Sequence, residues 1–162
     1  MSFGNGPAAV IVMSSFLLAL LLTALPVPDW AATWRPAWVA LVLIYWCMAV
    51  PSRIGVLVGW IAGLFLDVLT GTLLGQHAMA LAVVAYITHS SYRRIRVLLP
   101  WQQAVSVFGL VFVYQTLVLW VTGIQGNPVA ATAFWTSPLV SMLLWPWVFV
   151  VLRDVRRKYH VA

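Results

Sequence analysis

Apolar runs close to the length of a bilayer span, separated by short breaks rich in proline, glycine or arginine, restrict the fold of this sequence more than any other feature. A helix of about 20 apolar residues crosses the hydrocarbon core of a membrane. Only 7% of the residues are charged, whereas soluble domains average roughly a quarter. Barrel strands would alternate apolar and polar residues, and these runs do not. The sequence therefore predicts an all-α polytopic membrane protein.

Six transmembrane helices fit the breaks, within a single integral membrane domain over residues 1–162. The predicted spans cover about residues 8–25, 36–50, 54–70, 73–90, 101–123 and 134–152. An even number of spans places both termini on one side of the membrane. Eight of the nine basic residues then fall on that side, and only Arg35 falls on the other. The positive-inside rule makes the eight-charge side, with the N- and C-termini, cytoplasmic.

Seven of those eight residues form a predicted cytoplasmic basic face at the ends of the fourth and sixth spans. They are Arg93, Arg94, Arg96, Arg153, Arg156, Arg157 and Lys158. Basic residues in this position set topology and attract anionic lipids, at about 1 kcal/mol per charge. A dock for a cytoplasmic partner is the alternative interpretation. The net charge of +6 is therefore not a nucleic-acid signal.

Small residues recur every four positions between Gly59 and Gly75, and Asp67 occupies the central position of the series. Four residues advance about 400° around an α-helix, so the series follows one slowly turning face. Small residues allow a second helix to approach closely. Two interpretations are open: the face packs within its own bundle, or a partner's helix docks on it. This small-residue stripe consists of Gly59, Gly63, Asp67, Gly71 and Gly75.

Asp67 lies within the predicted third span, and a carboxylate at the bilayer centre costs about 2.5–3.5 kcal/mol. Its expected partners are Thr70, Thr72, His77, Gln115 or the free N–H groups at the start of the fourth helix. Three roles are compatible with this position: a structural cap or interhelical hydrogen bond, a polar anchor in a partner or ligand pocket, and a proton or cation relay. In the second role, Asp67, His77 and Gln115 would line a polar pocket.

Patterns that carry catalysis or metal binding are absent from the sequence. One intramembrane aspartate cannot form the paired carboxylates of an aspartyl protease, and no HExxH, phosphate loop or GxSxG occurs. Cys47 is the only cysteine and lies in an apolar run, so we expect a buried apolar side chain rather than a metal ligand. The sequence thus predicts neither an enzyme nor a metal or cofactor site.

Four segments, taken in order, resemble the family of the rod shape-determining protein MreD. They are RPAWVALVLIYWCMAVPSRIGVLVGW at 35–60, GWIAGLFLDVLTGTLLGQHAMAL at 59–81, LPWQQA at 99–104 and LLWPWVFVVLRDVRR at 143–157. The similarity covers nearly the whole chain and is weakest in the first span and around residues 124–133.

The resemblance implies a six-helix fold similar to the substrate-binding S component of energy-coupling factor transporters. It also implies a non-enzymatic protein of the bacterial inner membrane that acts with the single-span protein MreC. Through MreC, such a protein is connected to MreB, to RodA and to a class B penicillin-binding protein. The small-residue stripe corresponds to the signature region of the family, to which no catalytic role is attached.

We therefore predict a scaffold and regulator of the elongation machinery. Its helix surfaces, the stripe included, would bind the transmembrane helix and juxtamembrane segment of MreC and help to control cell shape and peptidoglycan synthesis. The alternative is a small-molecule-binding membrane protein of the S-component type, and a homo-oligomer within the complex is compatible with either function. A channel is disfavoured because no predicted span carries a repeated polar face.

Overall fold

Seven helices account for most of residues 6–32, 34–129 and 131–159, the part of the chain that the computed structural model describes. In chain order they are α1 (Gly6–Ala24), α2 (Asp29–Ala32), α3 (Trp38–Ala49), α4 (Val56–Thr70), α5 (Gln76–Arg96), α6 (Pro100–Ile124) and α7 (Ala133–Lys158). The short connections between α4, α5, α6 and α7 make these helices run alternately up and down the bundle.

Helix α3 lies at the centre of the bundle because its side chains are apolar on every face. All residues from Val39 to Met48 are buried, and α1, α5, α6 and α7 pack around them. Trp46 donates its Nε1–H to Ser15 Oγ of α1 (2.8 Å). The N–H of Ala37, just before α3, donates to Ser141 Oγ of α7 (3.1 Å). Apolar burial and these two hydrogen bonds hold α3 between α1 and α7.

Helix α1 packs on one side only, mainly against α3. Its other side carries exposed apolar residues, among them Val10, Met13, Leu17 and Leu21. A continuous apolar surface of this kind belongs against lipid or another protein.

The length and composition of the helices agree with a membrane protein. Within the described residues, α1, α6 and α7 are long and apolar enough to cross a bilayer. Helices α3 (12 residues) and α4 (15 residues) are apolar but shorter, and α5 ends in a basic segment. The predicted all-helical class is confirmed for the described residues, whereas the count of six spans stays a prediction.

Each predicted span overlaps one of the six longer helices, and two of these helices continue past the predicted span. Helix α5 continues from the span end near residue 90 to Arg96, and α7 continues from the span end near residue 152 to Lys158. Both extensions are rich in arginine and lysine, which are good helix formers, so the end of the apolar run does not end either helix. The short helix α2 was not predicted.

The first two glycines of the small-residue stripe lie where α4 packs most closely on α5. A Cβ atom on Gly63 would lie 2.2 Å from Ala78 Cα and 2.5 Å from Ala78 N, and one on Gly59 would lie 2.9 Å from Leu81 O. These neighbours are backbone atoms, so no side-chain rotation can make room. The face at Gly59 and Gly63 is thus covered by a helix of the same chain, and a partner helix has no access to it.

This contact predicts that Gly63→Ala lowers the free energy of unfolding by roughly 3 kcal/mol, because the added methyl group overpacks a rigid interface. The matched control is Gly109→Ala in α6, where a Cβ meets nothing within 4 Å. The control should change stability by no more than about 1 kcal/mol. Thermal unfolding of the two purified variants in detergent compares them, and equal unfolding midpoints would contradict the packing described here.

Candidate functional site

The carboxylate of Asp67 is fully buried and joins the end of α4 to the start of α5. Its Oδ1 accepts hydrogen bonds from His77 N–H (2.9 Å) and the Thr72 hydroxyl (3.0 Å), and it lies 2.8 Å from His77 Nδ1. Its Oδ2 accepts the N–H of Gly75 (2.8 Å) and, more weakly, that of Ala78 (3.4 Å). Asp67 therefore caps the N-terminus of α5 from the preceding helix, where a negative charge is favourable.

Two glycines shape the turn between α4 and α5, which brings the start of α5 within hydrogen-bond distance of Asp67. Gly71 follows the last residue of α4 with φ +69°, and Gly75 precedes α5 with φ +101°. Residues with a side chain are strained in this left-handed region. A Cβ on either glycine would meet nothing within 4 Å, so these two members of the stripe do not continue its packing face. Their role is to let the chain reverse direction beneath Asp67.

We call the end of the bundle that contains this turn the Asp67 end. It is formed by the last residues of α1, α4 and α6 and the first residues of α5 and α7. A cavity of about 360 Å³ opens there. Its polar lining consists of Thr23, Arg35, Thr70, His77, Tyr114, Gln115 and Ser137.

Two residues of the predicted polar pocket line this cavity and one does not. His77 and Gln115 contribute to the wall, whereas Asp67 lies behind His77 and is bonded to it. Arg35, Tyr114 and Ser137 were not assigned to the pocket from the sequence. Six predicted spans would place Arg35 and Ser137 at the same end of the bundle, which is the signal that could have grouped these two.

A second concave surface runs between α1 and α4, on the outside of the bundle. This α1–α4 groove has a volume of about 600 Å³, and its wall is almost entirely apolar, with Val10, Met13, Ile61 and Phe65 among its residues. Arg53, in the connection between α3 and α4, lines the groove as well.

The basic residues predicted for the cytoplasmic face occupy the C-terminal ends of α5 and α7. These two helices run in the same direction because α6 lies between them in the chain and packs on both. The charges therefore share one end of the bundle, opposite the Asp67 end. Asp154 Oδ1 lies 3.7 Å from Arg153 Nε at this surface. In the described ranges, no three His, Cys, Asp or Glu side chains meet as a metal site.

Comparisons with known proteins agree with the resemblance noted in the sequence. The family model described as rod shape-determining protein MreD matches residues 7–155. The rod shape-determining protein MreD of Haemophilus influenzae is 35% identical over 150 residues, which cover 91% of each chain. No solved structure gave a significant match.

The capping arrangement predicts that Asp67→Asn destabilises the protein by roughly 3 kcal/mol, because the amide turns a donor toward N–H groups and removes a buried charge from its partners. Asp154→Asn is the control, since its exposed ion pair contributes at most about 1 kcal/mol. Thermal unfolding in detergent measures both. An Asp67→Asn midpoint equal to that of the wild-type protein would show that the carboxylate does not hold the turn.

Proposed function

Because this chain belongs to the MreD family of rod shape-determining proteins, we propose that it acts as a non-enzymatic scaffold and regulator of the machinery that elongates the cell wall. Its partner in this role is MreC, whose transmembrane helix and juxtamembrane segment bind the helix surfaces of the bundle. MreB, RodA and a class B penicillin-binding protein are reached through MreC. The whole chain acts as one membrane domain.

The α1–α4 groove is the surface that best supports the proposed docking. The alternative surface, the small-residue stripe, is occupied at Gly59 and Gly63 by α5. The groove follows α1 from Ala8 to Leu20, a rise of about 18 Å at 1.5 Å per residue. This is long enough for several turns of one partner helix, and its apolar lining matches the surface of a transmembrane segment.

Arg53 lies at one end of the groove and makes the two ends of the groove different. A helix lying in it would bring its juxtamembrane residues to this arginine, which favours an acidic side chain there. The groove is deep because α1 packs only loosely against α4. The contact between these two helices is much smaller than the contact between α4 and α5. A partner helix that fills it would complete the coverage of α1.

The basic end of the bundle supports the proposed orientation. Seven basic residues gathered at one end are the arrangement that the positive-inside rule associates with the cytoplasm. We therefore place the chain in the bacterial inner membrane with six spans and with both termini in the cytoplasm. Anionic lipids of the inner leaflet would bind this end and fix its depth.

Bulk added inside the groove should weaken the complex with MreC. Val10, 61% exposed, lines the groove on α1, and Val105, 58% exposed, lies near the start of α6 away from it. We expect Val10→Trp to reduce the co-purification of MreC at least severalfold because the indole occupies the space of the partner helix. Val105→Trp makes the same change in size and surroundings and should leave the yield unchanged.

Thermal unfolding of both tryptophan variants ensures that the comparison is made on folded protein. Equal recovery of MreC with the two variants would exclude the groove as its docking site and would leave lipid as the occupant.

A further inference from the structure

The cavity at the Asp67 end contains polar side chains that nothing in the described part of the chain satisfies. The Tyr114 hydroxyl, the Gln115 amide and the Ser137 hydroxyl all line it, and none has a hydrogen-bond partner among the described residues. Tyr114 and Ser137 are each 7% exposed. Their polar atoms open into the cavity and are not sealed in the core, so an occupant that hydrogen-bonds can reach them.

Arg35 is the one arginine, lysine or carboxylate among the described residues that line the cavity. The guanidinium of Arg35 donates to the carbonyl oxygens of Thr23 (2.7 Å) and Leu25, which are neutral. None of the described carboxylates lies within ion-pair distance of it. The buried carboxylate at this end, Asp67, already accepts hydrogen bonds from several donors and lies behind His77. A positive charge in a partly desolvated pocket favours an anion.

The imidazole of His77 adds an oriented hydrogen-bonding group. Its Nδ1 faces the Asp67 carboxylate at 2.8 Å, an arrangement that places a proton on Nδ1 and fixes the ring. The Nε2 atom, on the other edge of the ring, is left to form a hydrogen bond with an occupant. A hydroxyl group suits this position because it both donates and accepts.

We propose that this cavity binds a small hydroxylated anion. Arg35 attracts its acidic group, His77 forms a hydrogen bond with a hydroxyl, and Tyr114, Gln115 and Ser137 complete its hydrogen bonds. The volume of about 360 Å³ falls in the range of small-molecule sites. A glycerol phosphate group has this chemistry, either as the free molecule or as the headgroup of phosphatidylglycerol. The inference is independent of the docking role of the α1–α4 groove.

Charged thiol reagents test the electrostatic part of the proposal in the full-length protein. Ser137→Cys places a thiol in the cavity with little change in size. The wild-type protein is the negative control for labelling because its cysteine, Cys47, is fully buried. Arg35 should raise the rate of an anionic sulfonate methanethiosulfonate over that of its cationic ammonium analogue roughly tenfold, relative to the ratio of the two rates at an exposed thiol. Arg35→Gln should abolish the preference, and Arg35→Lys should retain it.

Leu74→Cys is the position control, because Leu74 is exposed on the turn between α4 and α5 and does not line the cavity. The ratio of the two rates at this position gives the intrinsic difference between the reagents. The same ratio at Ser137→Cys, in the presence of an unchanged Arg35, would overturn the proposal.

Competition then identifies the source of the anion. Protection of the Ser137→Cys thiol by sn-glycerol 1-phosphate supports a soluble ligand. Protection by phosphatidylglycerol alone, and not by phosphatidylethanolamine, supports a lipid headgroup. If neither glycerol phosphate nor phosphatidylglycerol slows the labelling, the proposal is wrong, whatever the charge preference.

Discussion

A single buried carboxylate holds the turn on which the rest of the architecture depends. Asp67 lies in a region of the chain that is otherwise apolar, and it is stable there because the first N–H groups of α5, the Thr72 hydroxyl and the His77 ring converge on it. These contacts fix the start of α5 against the end of α4. With the two helices held at this end, the close approach at Gly63 follows along their length.

The contacts of Asp67 also determine where the cavity and the groove lie. Asp67 fixes His77, which forms part of the wall of the cavity at the Asp67 end. Asp67 also holds α4 against α5, so the opposite side of α4 faces α1, and the apolar groove lies between these two helices. The charged residues of α5 and α7 are left at the other end. A buried polar cluster at one end, a groove along the side and a basic surface at the other end are three separate features of the bundle.

Much of this could be predicted from the sequence, and what could not has a physical reason. Thr72, His77 and the start of the next helix were expected near Asp67 because they follow it closely in the chain, and all three contact it. Gln115 instead lines the cavity, because its position depends on how α6 packs. Small residues repeated every four positions identify a packing face of a helix, but they do not identify the helix that packs on it. Only the fold therefore shows that α5 covers Gly63. Arg35 and Ser137 are 102 residues apart, and tertiary packing alone brings them together.

The central claim is that the Asp67 turn and the basic ends lie on opposite sides of the membrane in one six-span bundle. Labelling of single cysteines at Leu74, Arg94 and Arg157 in intact cells, with a membrane-impermeant maleimide and the buried Cys47 as the silent background, tests it directly. The account predicts that Leu74→Cys is labelled from outside, and that Arg94→Cys and Arg157→Cys are labelled only after the membrane is permeabilised. Labelling of Arg94→Cys and Arg157→Cys from opposite sides would contradict it.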